Sequence, residues 1–229
     1  MPLSLVKVKI CGIRDLAILR AAVGYGADAV GFVVKSPSSP RNISLEVAKD
    51  LISAAPPLIY TVAVTASTSV DEILEAVERL RPDAVQLHSR IGLDAISEIS
   101  GRLRGGVKLI GALAVDVNSR YSEVMVRDLT LEAKGLAGLV DALIVDSAIG
   151  GFMGGTGVRG NFEVARRIRD AVAPSPLILA GGLTSENVEE AISVVEPYAV
   201  DVSSGVESSP GVKDLSKVKL FIEKVRRLN

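Results

Sequence analysis

The sequence predicts an α/β fold in which eight parallel strands close into a (β/α)8 barrel, the TIM-barrel architecture. Short apolar runs alternate with longer amphipathic segments, and this alternation repeats eight times along the 229 residues. The length suits one barrel, so we expect a single domain over residues 1–229. A doubly wound sheet is the alternative, but such a sheet usually carries a Gly-x-Gly-x-x-Gly turn after its first strand. Here that place holds Cys11-Gly12-Ile13-Arg14.

The individual elements follow from the apolar runs and the segments between them. We predict strands at residues 6–11, 29–34, 59–64, 84–87, 108–113, 142–145, 177–180 and 199–202. Helical periodicity lies between strands, for instance at 70–80 and 162–172, and a last helix is predicted at 213–228. Thr184 is predicted to cap the helix after the seventh strand.

A short motif recurs at the start of alternate strands and aligns them. Asp-Ala opens the second, fourth and sixth strands at Asp28, Asp83 and Asp141, and Tyr198-Ala199 opens the eighth in the same register. The spacing of about 55–58 residues is what a repeated βαβα quarter gives. Asp-Ala before an apolar strand is also a common turn, so the motif does not by itself decide ancestry. It aligns the four strands in either case.

This alignment predicts which side chains point into the barrel, because side chains alternate along a strand. One aligned set is Gly31, Gln86, Ile144 and Asp201; the set two residues further, at the C-terminal mouth, is Val33, His88, Asp146 and Ser203. Ser203 belongs to a glycine-rich strand end, so we predict this parity to be inward. The same choice places Lys9 and Cys11 inside on the first strand. Since a buried lysine needs a partner, we expect Lys9 to pair with Asp201.

Two neighbouring strand ends predict a phosphate site. The seventh strand ends in Gly181-Gly182, and the eighth ends in Ser203-Ser204-Gly205. Glycine lets backbone N–H groups approach a ligand closely, and serine adds hydroxyl donors. In (β/α)8 barrels a phosphate is frequently bound by the loops after strands seven and eight.

Cys11 and Asp146 are the candidates for proton transfer. A lone cysteine on a strand is usually a small buried hydrophobe. Here Cys11 ends a strand, and an inward Lys9 would lower its pKa towards the thiolate that base chemistry needs. Asp146 ends the sixth strand, roughly opposite, and is otherwise a cap or turn residue. The glycine-rich stretch 150–160 follows it and is able to close over a ligand.

Two further residues at the mouth are candidates for binding. Arg41 follows the second strand; a loop arginine is most often solvated, but at the mouth it is able to hold a carboxylate by a two-pronged hydrogen bond. His88 is the only histidine of the chain. The sequence leaves open whether His88 is a core residue or a general acid.

Composition narrows the classes of partner. The net charge of −1 gives no sign of a nucleic-acid surface, and one cysteine excludes an internal disulfide and fits a reducing cytosol. No apolar run reaches the roughly 18 residues of a membrane span, and no signal peptide is recognisable. No cluster has metal-ligand spacing. We therefore expect a cytoplasmic protein with a small-molecule substrate, no metal or organic cofactor, and no nucleic-acid or membrane partner. Monomer and homodimer both stay open.

Taken together, several segments resemble the phosphoribosylanthranilate isomerase family. They are Lys9-Ile10-Cys11-Gly12-Ile13, Ser39-Pro40-Arg41-Asn42-Ile43-Ser44, Val85-Gln86-Leu87-His88, Asp146 followed by Gly154-Gly155-Thr156-Gly157, Ala180-Gly181-Gly182-Leu183 and Asp201-Val202-Ser203-Ser204-Gly205-Val206-Glu207. The match runs in order over almost the whole chain, and the first and last segments are the most specific. The chain departs from the family after His88, where Ser89-Arg90 replaces glycine and an acidic residue.

The resemblance implies an Amadori rearrangement of N-(5-phosphoribosyl)anthranilate to 1-(2-carboxyphenylamino)-1-deoxyribulose 5-phosphate, in tryptophan biosynthesis, without a cofactor. It makes Cys11 the general base, Asp146 the general acid and Arg41 the ligand of the anthranilate carboxylate. The phosphate would bind at the backbone around Gly182 and Ser203 to Gly205. Lys9, His88 and Asp201 are expected to support the site on strand register alone, and not on the resemblance. Two alternatives remain at this point: another phosphate-sugar isomerase or epimerase on the same barrel, or a non-catalytic phosphate-binding barrel.

Overall fold

The computed structural model describes residues 5–103, 106–116, 121–149, 152–153 and 161–228. The strands are β1 (Lys7–Cys11), β2 (Ala29–Val34), β3 (Tyr60–Thr65), β4 (Ala84–Leu87), β5 (Lys108–Asp116), β6 (Ala142–Ile149), β7 (Phe152–Met153), β8 (Leu177–Leu179), β9 (Ala199–Val202), β10 (Glu207–Ser209) and β11 (Val212–Lys213). Eight of them pair in parallel in the order β5-β4-β3-β2-β1-β9-β8-β6, and β5 also pairs with β6. The sheet is closed, which confirms the predicted (β/α)8 barrel.

Helices surround this sheet. Those in the described ranges are α1 (Leu16–Gly24), α2 (Leu45–Ala54), α3 (Val70–Leu80), α4 (Leu93–Arg102), α5 (Glu123–Ala137), α6 (Phe162–Val172), α7 (Val188–Val195) and α8 (Leu215–Arg226). Six begin at a residue whose side chain accepts a backbone hydrogen bond from the first turn: Asp15, Ser44, Ser69, Ser122, Asn161 and Asp214. Each such cap contributes about 1 kcal/mol. In this part of the chain, no helix is both long and apolar enough to span a membrane.

Two helix starts differ from the prediction for local reasons. Helix α7 begins at Val188, so Thr184 is not its cap. Thr184 instead donates its N–H to Asn187 Oδ1 at 2.8 Å, in a turn before the helix. The last helix begins at Leu215 and not at 213, because Val212–Lys213 pairs with Glu207–Ser209 as a small antiparallel ribbon. That ribbon matters for the site, since it brings Lys213 back towards the barrel mouth.

The recurring aspartates link neighbouring strands at the N-terminal face of the barrel. Asp28, Asp83 and Asp141 each accept a backbone N–H from the strand before, at Val8, Thr61 and Leu109, over 2.7, 2.7 and 2.9 Å. In each Asp-Ala motif, the aspartate therefore forms the same hydrogen bond to the preceding strand. Asp83 also accepts the Thr61 hydroxyl at 2.7 Å.

Replacing Asp83 with Ala should destabilise the protein by about 1.5–3 kcal/mol, the usual contribution of hydrogen bonds to a charged group. Urea unfolding measures this difference. Asp50 is exposed on α2 and makes a matched control, so Asp50→Ala should change stability by no more than about 0.5 kcal/mol. Equal stability of the two variants would contradict a role for the aspartate motif.

Apolar side chains form two separate layers. The larger layer lies between the sheet and the helices and includes Phe32, Leu143 and Phe221. The second lies inside the barrel and is built from smaller residues, among them Val33, Ile110 and Ile144. Gly31 also faces inward, since a Cβ there would lie 2.9 Å from Cys11 Sγ and 3.3 Å from Lys9 Cε. The predicted inward parity is therefore confirmed, and it directs the polar residues at the strand ends into the mouth.

Candidate active site

Lys9 and Asp201 form an ion pair inside the barrel. They face each other across the β1–β9 pairing, with Lys9 Nζ 3.0 Å from Asp201 Oδ1, and their side chains are only 4% and 8% exposed. Burial by itself would lower the pKa of Lys9, but the neighbouring Asp201 and Cys11 raise this pKa above its usual value. Lys9 is thus an ammonium group at neutral pH. The pair predicted from strand register is present.

Cys11 lies at the end of β1, beside Lys9, and is buried. Burial raises the pKa of the Cys11 thiol, and this effect outweighs the lowering by the Lys9 and Lys213 cations. We expected Lys9 to bring the pKa of Cys11 down towards the thiolate. Lys9 does act in that direction, but the pKa of Cys11 is raised overall, so the expected net change is wrong. Lys9 limits the rise, but Cys11 rests as a thiol at neutral pH.

Asp146 and His88 occupy the other side of the mouth. Asp146 lies on β6, which β9 and β8 separate from β1, and is 6% exposed. His88 follows β4, with its Nε2 3.8 Å from Asp146 Oδ2. On the opposite side of the ring, His88 Nδ1 lies 3.4 Å from Gln86 Nε2. The structure therefore places both predicted residues at one mouth and adds Gln86, which the sequence analysis had aligned but given no role.

Arg41 is held by a buried carboxylate and is not a solvated loop residue. Its Nε and Nη2 donate to the two oxygens of Glu207, each at 2.7 Å. Desolvation would raise the pKa of Glu207, but the hydrogen bond from Arg41 and the Lys213 charge bring it below its usual value. One edge of the guanidinium is therefore already occupied. A ligand carboxylate has to approach the remaining edge, formed by Nη1 and Nη2.

Lys213 joins this arrangement to the end of β9. Its Nζ donates to Glu207 Oε1 at 2.9 Å, to the Ser203 carbonyl at 2.9 Å and to the Ser203 hydroxyl at 3.2 Å. Burial lowers the pKa of Lys213, and the Glu207 carboxylate opposes that change. Three acceptors around one nitrogen favour the ammonium form. Arg41, Lys213 and Glu207 then carry a net charge of +1, which favours an anionic ligand.

The predicted phosphate loops contact each other directly. Gly181 and Gly182 have φ values of +83° and +65°, which glycine adopts without strain, and a Cβ at Gly205 would overlap the Leu183 carbonyl oxygen. Asn187 Nδ2 donates to the Gly182 carbonyl at 2.9 Å and so holds the first loop. The Ser203 hydroxyl donates to the Cys11 carbonyl at 3.2 Å. The Ser203 hydroxyl proton is therefore directed at the end of β1.

Four residues with clear contacts in the site carried no role in the sequence analysis: Gln86, Asn187, Glu207 and Lys213. The sequence pointed to two of them only indirectly: Gln86 shares the inward parity, and Glu207 ends one of the family-like segments. The glycine-rich stretch 150–160 lies outside the described residues except for β7. Within the described ranges, no group of three or more His, Cys, Asp or Glu side chains is arranged to hold a metal ion.

The family model described as N-(5′-phosphoribosyl)anthranilate (PRA) isomerase matches residues 8–224. The chain belongs to this family. It is accordingly an isomerase of tryptophan biosynthesis. N-(5′-phosphoribosyl)anthranilate isomerase 1 of Methanosarcina mazei is 41% identical over 228 residues, covering 97% of this chain and 96% of that protein. The Haloferax volcanii isomerase is 40% identical, with 94% and 91% covered.

Solved structures of the family show the same architecture. The phosphoribosylanthranilate isomerase of Thermotoga maritima is 34% identical, with a TM-score of 0.82 and coverage of 97% of this chain and 99% of that chain. Another, 33% identical with a TM-score of 0.79 and the same coverage, is a complex with reduced 1-(o-carboxyphenylamino)-1-deoxyribulose 5-phosphate. A structure of monomers generated from the dimeric phosphoribosylanthranilate isomerase of Thermotoga maritima also matches, at 32% identity, a TM-score of 0.78 and coverage of 96% of this chain and 98% of that chain.

Replacing Lys9 with Met should destabilise the fold by about 3–5 kcal/mol, because the Asp201 carboxylate stays buried without its cation. The pKa of Lys9 is raised in the folded state, so the contribution of the pair is complete below the unfolded pKa of about 10.4 and is lost at higher pH. The deficit in urea unfolding should thus be constant between about pH 6 and 9.

Lys7 is the control for this variant, since it lies on the same strand with a 45% exposed side chain, 3.5 Å from Asp28. Lys7→Met should cost no more than about 1 kcal/mol. A Lys9 variant as stable as the Lys7 variant would contradict the buried pair.

Proposed function

We propose that this chain converts N-(5′-phosphoribosyl)anthranilate to 1-(2-carboxyphenylamino)-1-deoxyribulose 5-phosphate, with Asp146 as general acid and Cys11 as general base. The observation that carries this proposal is the placement of one buried thiol and one buried carboxylate on β1 and β6 of the same mouth. Anion-binding features lie beside them, namely Arg41 and the loops at Gly181 and Ser203. Membership of the isomerase family supports the same substrate.

The first step opens the ribose ring. Asp146 donates a proton to the ring oxygen, and the bond between that oxygen and C1′ breaks, leaving an iminium ion between C1′ and the anthranilate nitrogen. The ring oxygen becomes a hydroxyl group, and Asp146 becomes a carboxylate. His88 Nε2, 3.8 Å from Asp146 Oδ2, faces the charge that develops there.

The second step removes the C2′ proton, which the iminium ion has acidified. Cys11 accepts this proton as a thiolate, and the electron pair neutralises the iminium nitrogen to give an enolamine. Because the pKa of Cys11 is raised, its thiolate is scarce but strongly basic, and the Lys9 ammonium beside it lowers the cost of forming it. Tautomerisation then moves a proton to C1′ as the C2′ hydroxyl loses one, which gives the ketone. Two protons are released, one by Cys11 after it has taken the C2′ proton and one by the C2′ hydroxyl. Two are taken up, one by C1′ and one by Asp146, so both side chains return to their starting forms.

The substrate carries an anion at each end, and the mouth has a matching site for each. The phosphate binds backbone N–H groups of the loops at Gly181 and Ser203, which in (β/α)8 barrels is a frequent phosphate position. The anthranilate carboxylate binds the Nη1–Nη2 edge of Arg41, while Glu207 holds the other edge and keeps the guanidinium plane in one orientation. Binding both ends fixes C1′ and C2′ between Asp146 and Cys11.

Cys11→Ser and Asp146→Asn should each lower turnover at least about 10²-fold, the contribution of one positioned proton-transfer group. Loss of phosphoribosylanthranilate fluorescence measures turnover, and inorganic phosphate as a competitive inhibitor measures the phosphate site, whose affinity should not change. Asp50→Asn on exposed α2 controls for the amide replacement. Turnover close to wild type in either site variant removes that residue from the mechanism.

Arg41→Lys keeps a positive charge but loses the planar fork. We expect KM to rise roughly 10- to 100-fold, as the loss of about 1.5–3 kcal/mol of charged hydrogen bonding predicts. Glu207 keeps its contact with Lys213, so the fold should persist. Arg14→Lys, at a mouth arginine whose Nη1 lies 3.4 Å from the Gly211 carbonyl, is the control and should leave KM unchanged. An equal loss of inorganic phosphate binding in Arg41→Lys would mean that Arg41 acts on the phosphate.

A further inference from the structure

A row of polar side chains crosses the barrel mouth from β9 to β6. Asp201 Oδ1 lies 3.0 Å from Lys9 Nζ, and Lys9 Nζ lies 3.1 Å from Gln86 Oε1. Gln86 Nε2 lies 3.4 Å from His88 Nδ1, and His88 Nε2 lies 3.8 Å from Asp146 Oδ2. We propose that Gln86 is a positioning residue that sets the tautomer of His88, so that the neutral imidazole carries its proton on Nε2 and presents it to Asp146.

The ammonium group of Lys9 has donors only. The neighbouring atom of Gln86 must therefore be the amide oxygen, because an amide NH₂ group there would place donor against donor. Gln86 is 1% exposed, so water has little access to stabilise the flipped amide. Burial and the ammonium group together leave Gln86 with one orientation, in which its NH₂ group faces away from Lys9.

That NH₂ group faces Nδ1 of His88. A donor at this point requires Nδ1 to be the unprotonated acceptor of the imidazole ring, because in the neutral form one nitrogen donates and the other accepts. The proton then resides on Nε2, the nitrogen nearer to Asp146. The opposite tautomer would set an N–H group against the NH₂ group of Gln86. The Gln86 contact therefore sets the tautomer, and the Nε2 proton faces the carboxylate that Asp146 becomes once it has donated its proton.

The consequence for catalysis rests on the proposed function. After Asp146 has protonated the ring oxygen, its new carboxylate faces the Nε2–H of a neutral imidazole, which stabilises the charge without holding an extra acidic proton. In this proposal Gln86 acts through His88. The same Lys9 ammonium that neighbours Cys11 orients Gln86, so one buried cation acts on both sides of the mouth.

The chain has a single histidine, which makes the tautomer directly measurable. Protein without a histidine tag, labelled with ¹⁵N-histidine, should give one pair of ring nitrogen resonances. At about pH 8, above the usual histidine pKa of roughly 6.5, we expect a protonated Nε2 and an unprotonated Nδ1. Gln86→Glu replaces the donor by an acceptor of the same shape, so Nδ1 should become protonated. Gln86→Met removes the amide and should give a mixture of tautomers.

Asp146→Asn removes the carboxylate and leaves the Gln86 contact in place, so the His88 ring should keep the wild-type tautomer. A wild-type ring protonated at Nδ1 would overturn the proposal. The proposal would also be overturned if folded Gln86→Met kept the wild-type pattern of ring nitrogen resonances and Asp146→Asn lost it. The carboxylate, and not Gln86, would then set the tautomer. Thermal unfolding verifies that each variant is folded. With Gln86→Met we also expect a lower kcat at nearly unchanged KM, whereas an equal fall in phosphate affinity would indicate a structural defect.

These spectra need no substrate, so they are independent of the proposed function. If Cys11→Ser and Asp146→Asn retained turnover, the proposed chemistry would fail while the tautomer assignment remained. If the tautomer were wrong, the acid and base roles would stand and Gln86 would lose its part in them.

Discussion

The requirement that a buried ammonium group be partnered organises the barrel interior. Lys9 Nζ lies within 3.1 Å of acceptors on two other strands, Asp201 on β9 and Gln86 on β4. An unpaired charge at this depth would cost several kcal/mol, so both acceptors are held in place by the need to satisfy it. Gly31 belongs to the same constraint, because any Cβ there would press on Lys9 and Cys11. The position of the thiol therefore depends on how the lysine is accommodated.

The chemistry of Cys11 reflects a balance between burial and nearby charge. Removing the thiol from water disfavours the thiolate, and the Lys9 and Lys213 cations compensate only in part. In the proposed mechanism a raised pKa has a use, because a stronger base is better able to remove a proton from carbon, although fewer molecules carry the thiolate at neutral pH. Burial of the thiol thus determines how strong a base Cys11 is in that mechanism.

A second buried network organises the binding side of the mouth. Glu207 receives Arg41 on one edge and Lys213 on the other, and Lys213 also holds Ser203 at the end of β9. Truncating this carboxylate would remove the acceptor that Arg41 and Lys213 share. In the proposed function, Glu207 thus connects the carboxylate site at Arg41 with the phosphate site beside Ser203. Glu207 and Lys213 lie on the ribbon formed by β10 and β11, which pairs them with each other.

The local sequence determined much of this protein. Strict strand–helix alternation predicted the closed barrel, and period-two patterning placed Lys9, Cys11 and Asp201 on the inner face, because side-chain direction follows strand register alone. Helices α3 and α6 begin and end where their apolar periodicity predicted. These features depend on residues close together in the chain.

Only the tertiary structure decided the partners of the charged groups. Arg41 and Glu207 are 166 positions apart, and Gln86 meets Lys9 across 77 positions. Sequence patterns do not say which edge of a guanidinium is occupied, nor whether burial or a neighbouring cation dominates the pKa of a thiol. The net direction for Cys11 was mispredicted for this reason. Desolvation and Coulomb interaction both depend on three-dimensional distance, which emerges only when the barrel closes and brings distant strand ends to one mouth.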